Sequence, residues 1–211
     1  MGRVNGSVAG DGGPDLRWFT AGAMTEAEFR AACVLHASAF PRPGRTVDDV
    51  VASRGPVWMR HAENGAEIPG GPLRSTTPAR RAAIVDAAGV WRANAATITR
   101  RLATPAGPMT VLGLLDVATR PDDRGRGLGA RVVRAAFGPV DRGEWPACLF
   151  QTGDARRFYE KLGARVVDNR FVDSTGDTPA GGAVFEDTHT MIYPADADWP
   201  TGEIDTLGPG Y

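Results

Sequence analysis

The stretch LLDVATRPDDRGRGLG, residues 114–129, carries the strongest fold signal in the sequence. Its apolar half predicts a strand that ends at Thr119, and a polar turn then leads into glycines that open a helix. The first N–H groups of a helix have no partner within it and lie at the positive end of its dipole. Because Arg124 and Arg126 add forked cationic donors, this stretch predicts a binding site for a phosphate or diphosphate group.

The same glycines are compatible with other motifs, which the neighbouring residues separate in part. A nucleoside-triphosphate loop needs Lys directly after its last glycine, whereas Ala130 follows Gly129. A dinucleotide fingerprint, GxGxxA, is satisfied by Gly125, Gly127 and Ala130. The polar turn before the glycines argues against it, as does Gln151, which stands where an acid is expected. A glycine-rich turn before an ordinary helix is the third alternative.

Two motifs in this region resemble the GCN5-related N-acetyltransferase (GNAT) superfamily. Arg124, Gly127 and Gly129 match its RxxGxG signature, and residues 155–165, ARRFYEKLGAR, resemble its FYEKLGF-like helix near the acceptor site. The two motifs stand in the family's order, and the resemblance covers residues 80–168. It implies acetyl-CoA (coenzyme A) as the cofactor, bound by Val117, Ala118, Thr119, Arg124, Gly125, Arg126, Gly127, Leu128 and Gly129.

The resemblance also implies an N-acyltransferase, which moves an acetyl or other acyl group directly from acyl-CoA to a primary amine. A main-chain N–H on the fourth strand would polarise the thioester carbonyl. Tyr159 would act as the catalytic acid that protonates the leaving thiolate. Since helical spacing relates Tyr159 to Ala155, Phe158 and Leu162 as one set, a core position is the alternative for this residue.

The sequence leaves the general base open. Many relatives carry a glutamate on the fourth strand where this chain has Leu115. The adjacent Asp116 is the catalytic candidate, although strand alternation directs it to the opposite face from Leu115. Glu186, Asp187 and His189 are further candidates. The missing glutamate also favours an alternative function, that of a non-catalytic regulatory module that binds coenzyme A.

The charges are distributed unevenly along the chain, although the formal net charge is -1. Residues 171–211 contain eight acidic residues and no Lys or Arg, so residues 1–170 hold 24 basic and 17 acidic residues. Such an asymmetry creates a field that attracts cations. A solvated acidic segment without a ligand is the alternative.

The end of the chain has a weaker family resemblance. Residues 198–211, DWPTGEIDTLGPGY, resemble the tail of the nodulation protein A acyltransferases, and the region from residue 181 onward is similar to the aminoglycoside 2'-N-acetyltransferases. Together these likenesses imply a small-molecule amine that is cationic, or an amino sugar. The residues that would bind it are Asp198, Trp199, Glu203 and Asp205. Trp199 could stack on a sugar ring, but a lone Trp favours a role in anchoring the tail.

Turn signals divide the chain into alternating strands and helices. Thr25 and Glu28 predict a capping box that starts a helix ending near Pro41. Apolar patterns predict strands at 16–19, 82–86, 90–102, 109–119, 147–151, 164–168 and 183–192, and helices at 46–53, 126–137 and 154–162. This order predicts an α/β fold, a GNAT-like mixed and mostly antiparallel sheet flanked by helices in three layers. We expect a disordered segment at 1–14, a single domain over 15–211, and a long surface loop at 63–78.

Composition excludes several classes of protein. Cys33 and Cys148 lack the spacing of a disulfide framework or a zinc site, so we expect buried thiols and no metal. No apolar run is long enough to cross a bilayer, and the first residues lack the apolar core of a secretory signal. We therefore expect a cytoplasmic protein without nucleic-acid or membrane partners, and we leave a homodimer open.

Overall fold

A computed structural model describes residues 15–60, 79–176, 178 and 182–210, with residues 55–60 described for the backbone alone. The segments predicted to be disordered, 1–14, and to form the long loop, 63–78, lie outside the described residues. The described residues divide into two compact units, one within 15–60, 79–97 and 116–136, and one within 98–115 and 137–210. Three elements contribute residues to both units: β3 (Trp91–Thr104), β4 (Gly107–Thr119) and α3 (Leu128–Asp141).

The first unit contains the beginning of the sheet and two helices. Its elements are β1 (Asp15–Thr20), α1 (Glu26–Ala39), α2 (Val47–Arg60), β2 (Arg80–Val85) and the first half of β3 (Trp91–Thr104). Strand β1 pairs antiparallel with β2 from Asp15↔Val85 to Thr20↔Arg80, and β2 pairs antiparallel with β3. The core of this unit includes Phe19, whose ring centroid lies 4.6 Å from that of Trp91.

Helices α1 and α2 each begin with a reciprocal cap, which satisfies N–H groups that a helix leaves unpaired. Glu28 N donates to Thr25 Oγ1 at 3.2 Å, and Thr25 N donates to Glu28 Oε2 at 2.8 Å, so the predicted capping box is confirmed. Thr46 and Asp49 form the same exchange at the start of α2, at 2.7 and 3.2 Å. The prediction of α2 was too short, because the helix continues to Arg60.

The second unit contains the shorter strands. The remaining elements of the chain are β4 (Gly107–Thr119), α3 (Leu128–Asp141), β5 (Cys148–Thr152), α4 (Arg156–Glu160), β6 (Arg165–Val166), β7 (Arg170–Val172), β8 (His189–Tyr193) and β9 (Glu203–Asp205). Strand β8 pairs antiparallel with both β5 and β6, while β4 with β5 and β7 with β9 are parallel pairs. The strand order is β1-β2-β3-β4-β5-β8-β6, and β9 pairs with β3 and β7. The predicted fold class, a mixed and mostly antiparallel sheet flanked by helices, is confirmed.

The C-terminal part of the chain differs most from the predicted elements. Strands β7 and β9 were not predicted, because each has only three residues and is fixed by distant pairing. The strand predicted at 183–192 starts only at His189. Val184 and Phe185, which gave it an apolar pattern, are instead buried in the core outside any strand.

Two further findings concern the classes considered for the sequence. In the described parts of the chain, no helix combines the length and the apolar composition needed to cross a bilayer. Within the same residues, no group of three or more His, Cys, Asp or Glu side chains is arranged to hold a metal ion. Cys33 and Cys148 are free and buried, as predicted.

Candidate active site

The turn between β4 and α3 has the backbone form that its glycines predict. A 3-10 turn, Pro121–Asp123, follows the strand, and Gly125 and Gly127 then both adopt a left-handed conformation with φ of 77°. Glycine populates this region without the steric cost that a Cβ atom brings. At either glycine, a Cβ would have no heavy atom within 4 Å, so the loop backbone is open to a ligand.

The entrance of α3 presents main-chain donors to this open space. At its start, Arg131 N donates to Gly127 O at 3.1 Å. The N–H groups of Gly127, Leu128, Gly129 and Ala130 precede that bond and have no acceptor among the residues that the structure describes. No acidic side chain lies in the first turn to occupy them. Four such donors at the positive end of a 14-residue helix suit a diphosphate group.

The two arginines of the loop lie at the protein surface, and each also has a protein partner. Arg124 Nη2 donates to Ala39 O at the end of α1 (3.0 Å), and Arg126 Nη1 donates to Asp123 Oδ1 (2.8 Å). Asp123 is only 3% exposed and also accepts from Arg92 Nη1 at 3.4 Å. Because a guanidinium has five N–H donors, one such bond leaves others for an anion. The Asp123 carboxylate therefore ties the loop to β3 while both arginines keep donors for phosphate oxygens.

Strand β4 carries the residues expected along the pantetheine arm. The parallel ladder that β4 forms with β5 covers Leu112 and Gly113, so residues 117–119 lie outside it. After the strand, Arg120 N donates to Arg92 O of β3 at 2.9 Å. On the side of β4 that faces β5, main-chain groups outside this ladder are available to pair with an extended ligand.

Asp116 departs from the regular strand in this part of β4. Its φ of 53° is rare for a residue other than glycine. The carboxylate forms ion pairs with Arg54 and with Arg81, the latter at 2.9 Å, and Asn94 Nδ2 donates to the main-chain oxygen. Since alternation assumes extended backbone, the side-chain direction expected from the sequence does not apply at this residue.

These contacts do not fit the catalytic base role expected for Asp116. Burial by itself raises the pKa of the Asp116 carboxyl group, but the charges of Arg81 and Arg54 outweigh it and hold that pKa well below its ordinary value. A carboxylate stabilised in this way accepts a proton poorly at neutral pH. The contacts of Asp116 indicate a structural role instead.

His36 joins the Asp116 cluster from α1, and the sequence did not identify it as a site residue. Its Nε2 lies 3.1 Å from Arg54 Nη2. Burial lowers the pKa of His36 to about 4, and the charge of Arg54 lowers it further in the same direction. The imidazole is therefore neutral at pH 7 and can accept the Arg54 N–H. The only sequence signal was its helical spacing with Cys33, which does not reveal a partner 18 residues away.

The part of the chain that contains the glycine-rich loop matches a known protein family. Residues 91–172 match the FR47-like protein family, and they include β3, β4, the glycine-rich loop and the 155–165 motif. No curated protein has a significant match to the chain.

Solved structures share the architecture at low sequence identity. A GNAT family N-acetyltransferase (YhbS) from Escherichia coli in complex with CoA has 13% identity and a TM-score of 0.57, covering 94% of this chain and 93% of that one. A GNAT family acetyltransferase from Staphylococcus aureus has 10% identity and a TM-score of 0.53, with coverage of 86% and 99%. A third, from Brucella melitensis in complex with acetyl-CoA, has 11% identity and a TM-score of 0.50, with coverage of 90% and 94%.

The chain has the GNAT fold. The FR47-like match includes both motifs that carried the resemblance in the sequence, the RxxGxG loop and the motif at residues 155–165.

In this GNAT fold, Tyr159 lies on α4 in the second unit and is 6% exposed. Its ring packs against Phe150 and Phe158, with centroids 4.6 and 4.9 Å away. Burial raises the pKa of the Tyr159 phenol, and Cys148 and Asp187 raise it further. The phenol therefore stays protonated at neutral pH, as a proton donor must, while its packing also agrees with a core position.

The contacts of Trp199 agree with an anchoring role and not with stacking on a sugar ring. This residue is 8% exposed within the core of the second unit, and its Nε1 donates to Asn169 Oδ1 at 2.8 Å. An indole buried in this way anchors the C-terminal segment and has no free face for a sugar ring.

The four residues predicted to bind the amine differ in their burial and in their hydrogen bonds. They are Asp198, Trp199, Glu203 and Asp205. Asp205 Oδ1 accepts from Ser174 N at 3.1 Å and from Leu207 N at 2.8 Å, so it stabilises local backbone. Glu203 forms a surface ion pair with Arg170 at 2.7 Å. Of the residues expected to bind an amine, only Asp198 is exposed without a hydrogen bond or ion pair in the described chain.

The remaining base candidates also lie in the second unit. Glu186 and Asp187 are exposed, and Asp187 N donates to Gln151 Oε1 at 2.9 Å. His189 begins β8 and is opposite Thr152 of β5. All three therefore occur near one end of the β5–β8 ladder.

Proposed function

We propose that the chain is an N-acyltransferase that moves an acetyl or other acyl group from acyl-CoA to a primary amine. The observation that carries this proposal is the helix entrance at Gly127 to Ala130. There, four main-chain N–H groups have no acceptor within the described parts of the chain, beside an open, left-handed glycine loop. These donors, with Arg124 and Arg126, would hold the diphosphate of coenzyme A.

The main chain of β4 would hold the pantetheine arm. Residues 117–119 lie outside the β4–β5 ladder and directly before the diphosphate loop, as a ligand extended from loop to strand requires. Bound acyl-CoA supplies an activated acyl group in its thioester. The strand supplies main-chain N–H groups, which would stabilise negative charge on the carbonyl oxygen.

The chain itself need not supply a nucleophile for this transfer. Cys148 lies on β5, the strand expected beside the thioester channel. This thiol is fully buried, and burial raises its pKa far above neutral pH. A thiol that stays protonated attacks a thioester poorly. Direct attack by the acceptor amine is therefore the chemistry that these residues favour.

Tyr159 would act as the acid toward the leaving thiolate. Its raised pKa keeps the proton in place at neutral pH. A glutamate is missing at Leu115 and Asp116 is ion-paired, so proton removal from the amine would fall to solvent or to Glu186, Asp187 or His189.

The acceptor we propose is a cationic small-molecule amine or an amino sugar. Support comes from the acidic character of residues 171–211 and from the exposed carboxylates of Asp196 and Asp198. The buried Trp199 and the locally bonded Asp205 do not contribute to this support.

A non-catalytic coenzyme A-binding module is the second candidate. It is favoured by Leu115 at the position of the missing glutamate and by the two ion pairs of Asp116, which leave β4 without a competent base. This candidate keeps the diphosphate loop and lacks amine turnover.

One assay separates the two functions. Release of the coenzyme A thiol from acetyl-CoA is measured with aminoglycosides, glucosamine oligomers, polyamines and peptide N-termini, together with coenzyme A affinity by calorimetry. The acyltransferase predicts saturable thiol release with at least one amine. Saturable coenzyme A binding without release on any amine would favour the module, and no coenzyme A binding would contradict both.

A further inference from the structure

The left-handed backbone at Asp116 lies within a cluster of side-chain contacts. Of the non-glycine residues in the described chain, Asp116 and Leu207 have positive φ, at 53° and 51°. Such conformations are sparsely populated and persist where the surroundings fix them. At Asp116 the surroundings include three side chains, from α2, β2 and β3.

Each polar group of Asp116 other than its N–H has a named partner. Arg54 of α2 binds carboxylate Oδ1, and Arg81 of β2 binds Oδ2 at 2.9 Å. Asn94 of β3 donates from Nδ2 to the main-chain oxygen. The Asp116 side chain is 16% exposed, and that of Arg81 is 5% exposed, so these contacts are largely shielded from water.

The cluster also has a consistent charge state at neutral pH. The guanidinium groups of Arg54 and Arg81 face the single carboxylate of Asp116. The neighbouring His36, as a neutral imidazole, accepts a hydrogen bond from Arg54. Loss of the carboxylate would leave two like charges near each other with reduced screening. The cluster is therefore suited to hold Asp116 in one conformation.

A left-handed residue changes the direction of the strand that follows it. In an extended strand, successive N–H groups point alternately to the two sides, and a single residue with positive φ interrupts that alternation. Val117 is the next residue, and residues 117–119 are those expected along the acyl-bearing arm of coenzyme A. The conformation of Asp116 thus sets where the Val117 N–H points.

We propose that Asp116 is a positioning residue, which, with Arg54, Arg81 and Asn94, fixes the left-handed turn of β4 and thereby aims the Val117 N–H at the acyl carbonyl of bound acyl-CoA. This inference rests on the proposed acyltransferase function. It gives Asp116 a role in place of the proton acceptor expected from the sequence, and it makes α2 part of the support for β4.

The test is the infrared carbonyl band of acetyl-CoA labelled with carbon-13 at the thioester carbonyl. A hydrogen bond from the protein lowers the stretching frequency of that carbonyl. Substitution of a residue that does not position this hydrogen bond leaves the frequency of bound acetyl-CoA unchanged. We expect bound acetyl-CoA to show a lower frequency than free acetyl-CoA in the wild type. In the Asp116→Ala variant most of that lowering should be lost, while coenzyme A affinity stays within about 3-fold because the diphosphate loop is separate.

Controls keep the inference falsifiable. Asp48→Asn removes a surface ion pair between α1 and α2, Arg30–Asp48 at 2.7 Å, and should leave the carbonyl band as in the wild type. If Asp116→Ala does not fold, Arg54→Gln takes its place. It leaves Arg81 bound and should lose part of the frequency lowering.

The outcomes separate this inference from the proposed function. If acetyl-CoA bound to folded Asp116→Ala has the same carbonyl frequency as acetyl-CoA bound to the wild type, the positioning role alone is overturned. The same result in Arg54→Gln has this meaning where Asp116→Ala fails to fold. Absence of acetyl-CoA binding to the wild type overturns the proposed function and the positioning role together. An equal loss of frequency lowering in Asp48→Asn also overturns the role, because it would reflect general loosening of the helices.

Discussion

The glycine-rich loop (residues 121–130) and the acidic segment (residues 171–210) both carry charge that predicts a ligand, but they use their polar groups differently. In the loop, the N–H groups from Gly127 to Ala130 have no acceptor in the described chain. In the acidic segment, Asp173 and Asp205 accept hydrogen bonds from their own segment. A charged stretch is therefore good evidence for a ligand only where the fold leaves its hydrogen-bonding groups unpaired.

The difference between the glycine-rich loop and the acidic segment can be tested by substitution, and the largest expected effect is a loss of stability in the acidic segment. Replacing Trp199 by Ala removes a buried indole and its bond to Asn169, so the free energy of unfolding should fall by about 3 to 5 kcal/mol. Urea denaturation measures the loss, and the half-buried Trp145 gives a control in which Trp145→Ala costs less. A fully stable Trp199→Ala protein with weakened amine binding would show instead that the indole meets a ligand.

The next largest effect concerns ligand binding by the loop. The Arg124→Ala, Arg126→Ala double variant should weaken coenzyme A binding by about 2 to 4 kcal/mol, because two charged donors to phosphate are lost. Calorimetry measures the affinity. The double variant Arg101→Ala, Arg142→Ala removes the same charge from exposed positions outside the loop and should keep the affinity nearly unchanged. Equal losses in both double variants would mean that the effect comes from net charge alone.

A smaller effect separates the loop from an ordinary turn. Gly127 and Gly143 have similar left-handed φ values, 77° and 73°, with open space around both. Replacing either by Ala should lower the free energy of unfolding by about 1 kcal/mol. Only Gly127→Ala should weaken coenzyme A binding, since it alone lies at the α3 entrance. If Gly143→Ala weakens binding as much, the loop has no special part in it.

The smallest effect is a difference in pH dependence between the two units. Burial and Arg54 lower the pKa of His36 to about 4 in the folded protein. As the pH drops from 6.5 toward 4, the unfolded chain therefore binds a proton at His36 that the folded protein does not, and the free energy of unfolding should fall. At Asp173, burial opposes ionisation, but hydrogen bonds from Thr175 and Thr178 hold its pKa at about 2, so its contribution is lost only below pH 3.8.

Urea midpoints at pH 7 and pH 5 test the His36 part of this prediction. A His36→Gln variant should show a smaller fall between the two pH values than the wild type, and a Thr178→Ala variant should show the same fall as the wild type. An unchanged fall in His36→Gln would contradict a neutral, buried imidazole in the fold.

The sequence predicted those parts of the molecule that depend on neighbouring residues. The Thr25–Glu28 cap and the glycine-rich entrance of α3 are local patterns, and the structure has both. The parts that failed depend on distant contacts. Strand β9 exists because Glu203–Asp205 pairs with Arg170–Val172, which lies some thirty residues earlier in the chain.

The candidate site shows the same limit at single residues. Asp116 was expected to alternate with Leu115 along a regular strand, but Arg54, Arg81 and Asn94 hold it in a left-handed conformation. None of these partners is within twenty residues of it, so a local pattern could not reveal them. The bond that anchors Trp199 could not be predicted for the same reason, since its partner Asn169 is thirty residues away.

The most direct test of the account follows the backbone amides during a titration with coenzyme A. Amide resonances are recorded by NMR, and a dinucleotide, NADH, is titrated in parallel. The account predicts that the amides of Gly127, Leu128, Gly129 and Ala130 shift most with coenzyme A and little with NADH, while residues 203–206 stay in place. Unmoved amides at the α3 entrance, or a larger response there to NADH, would contradict it.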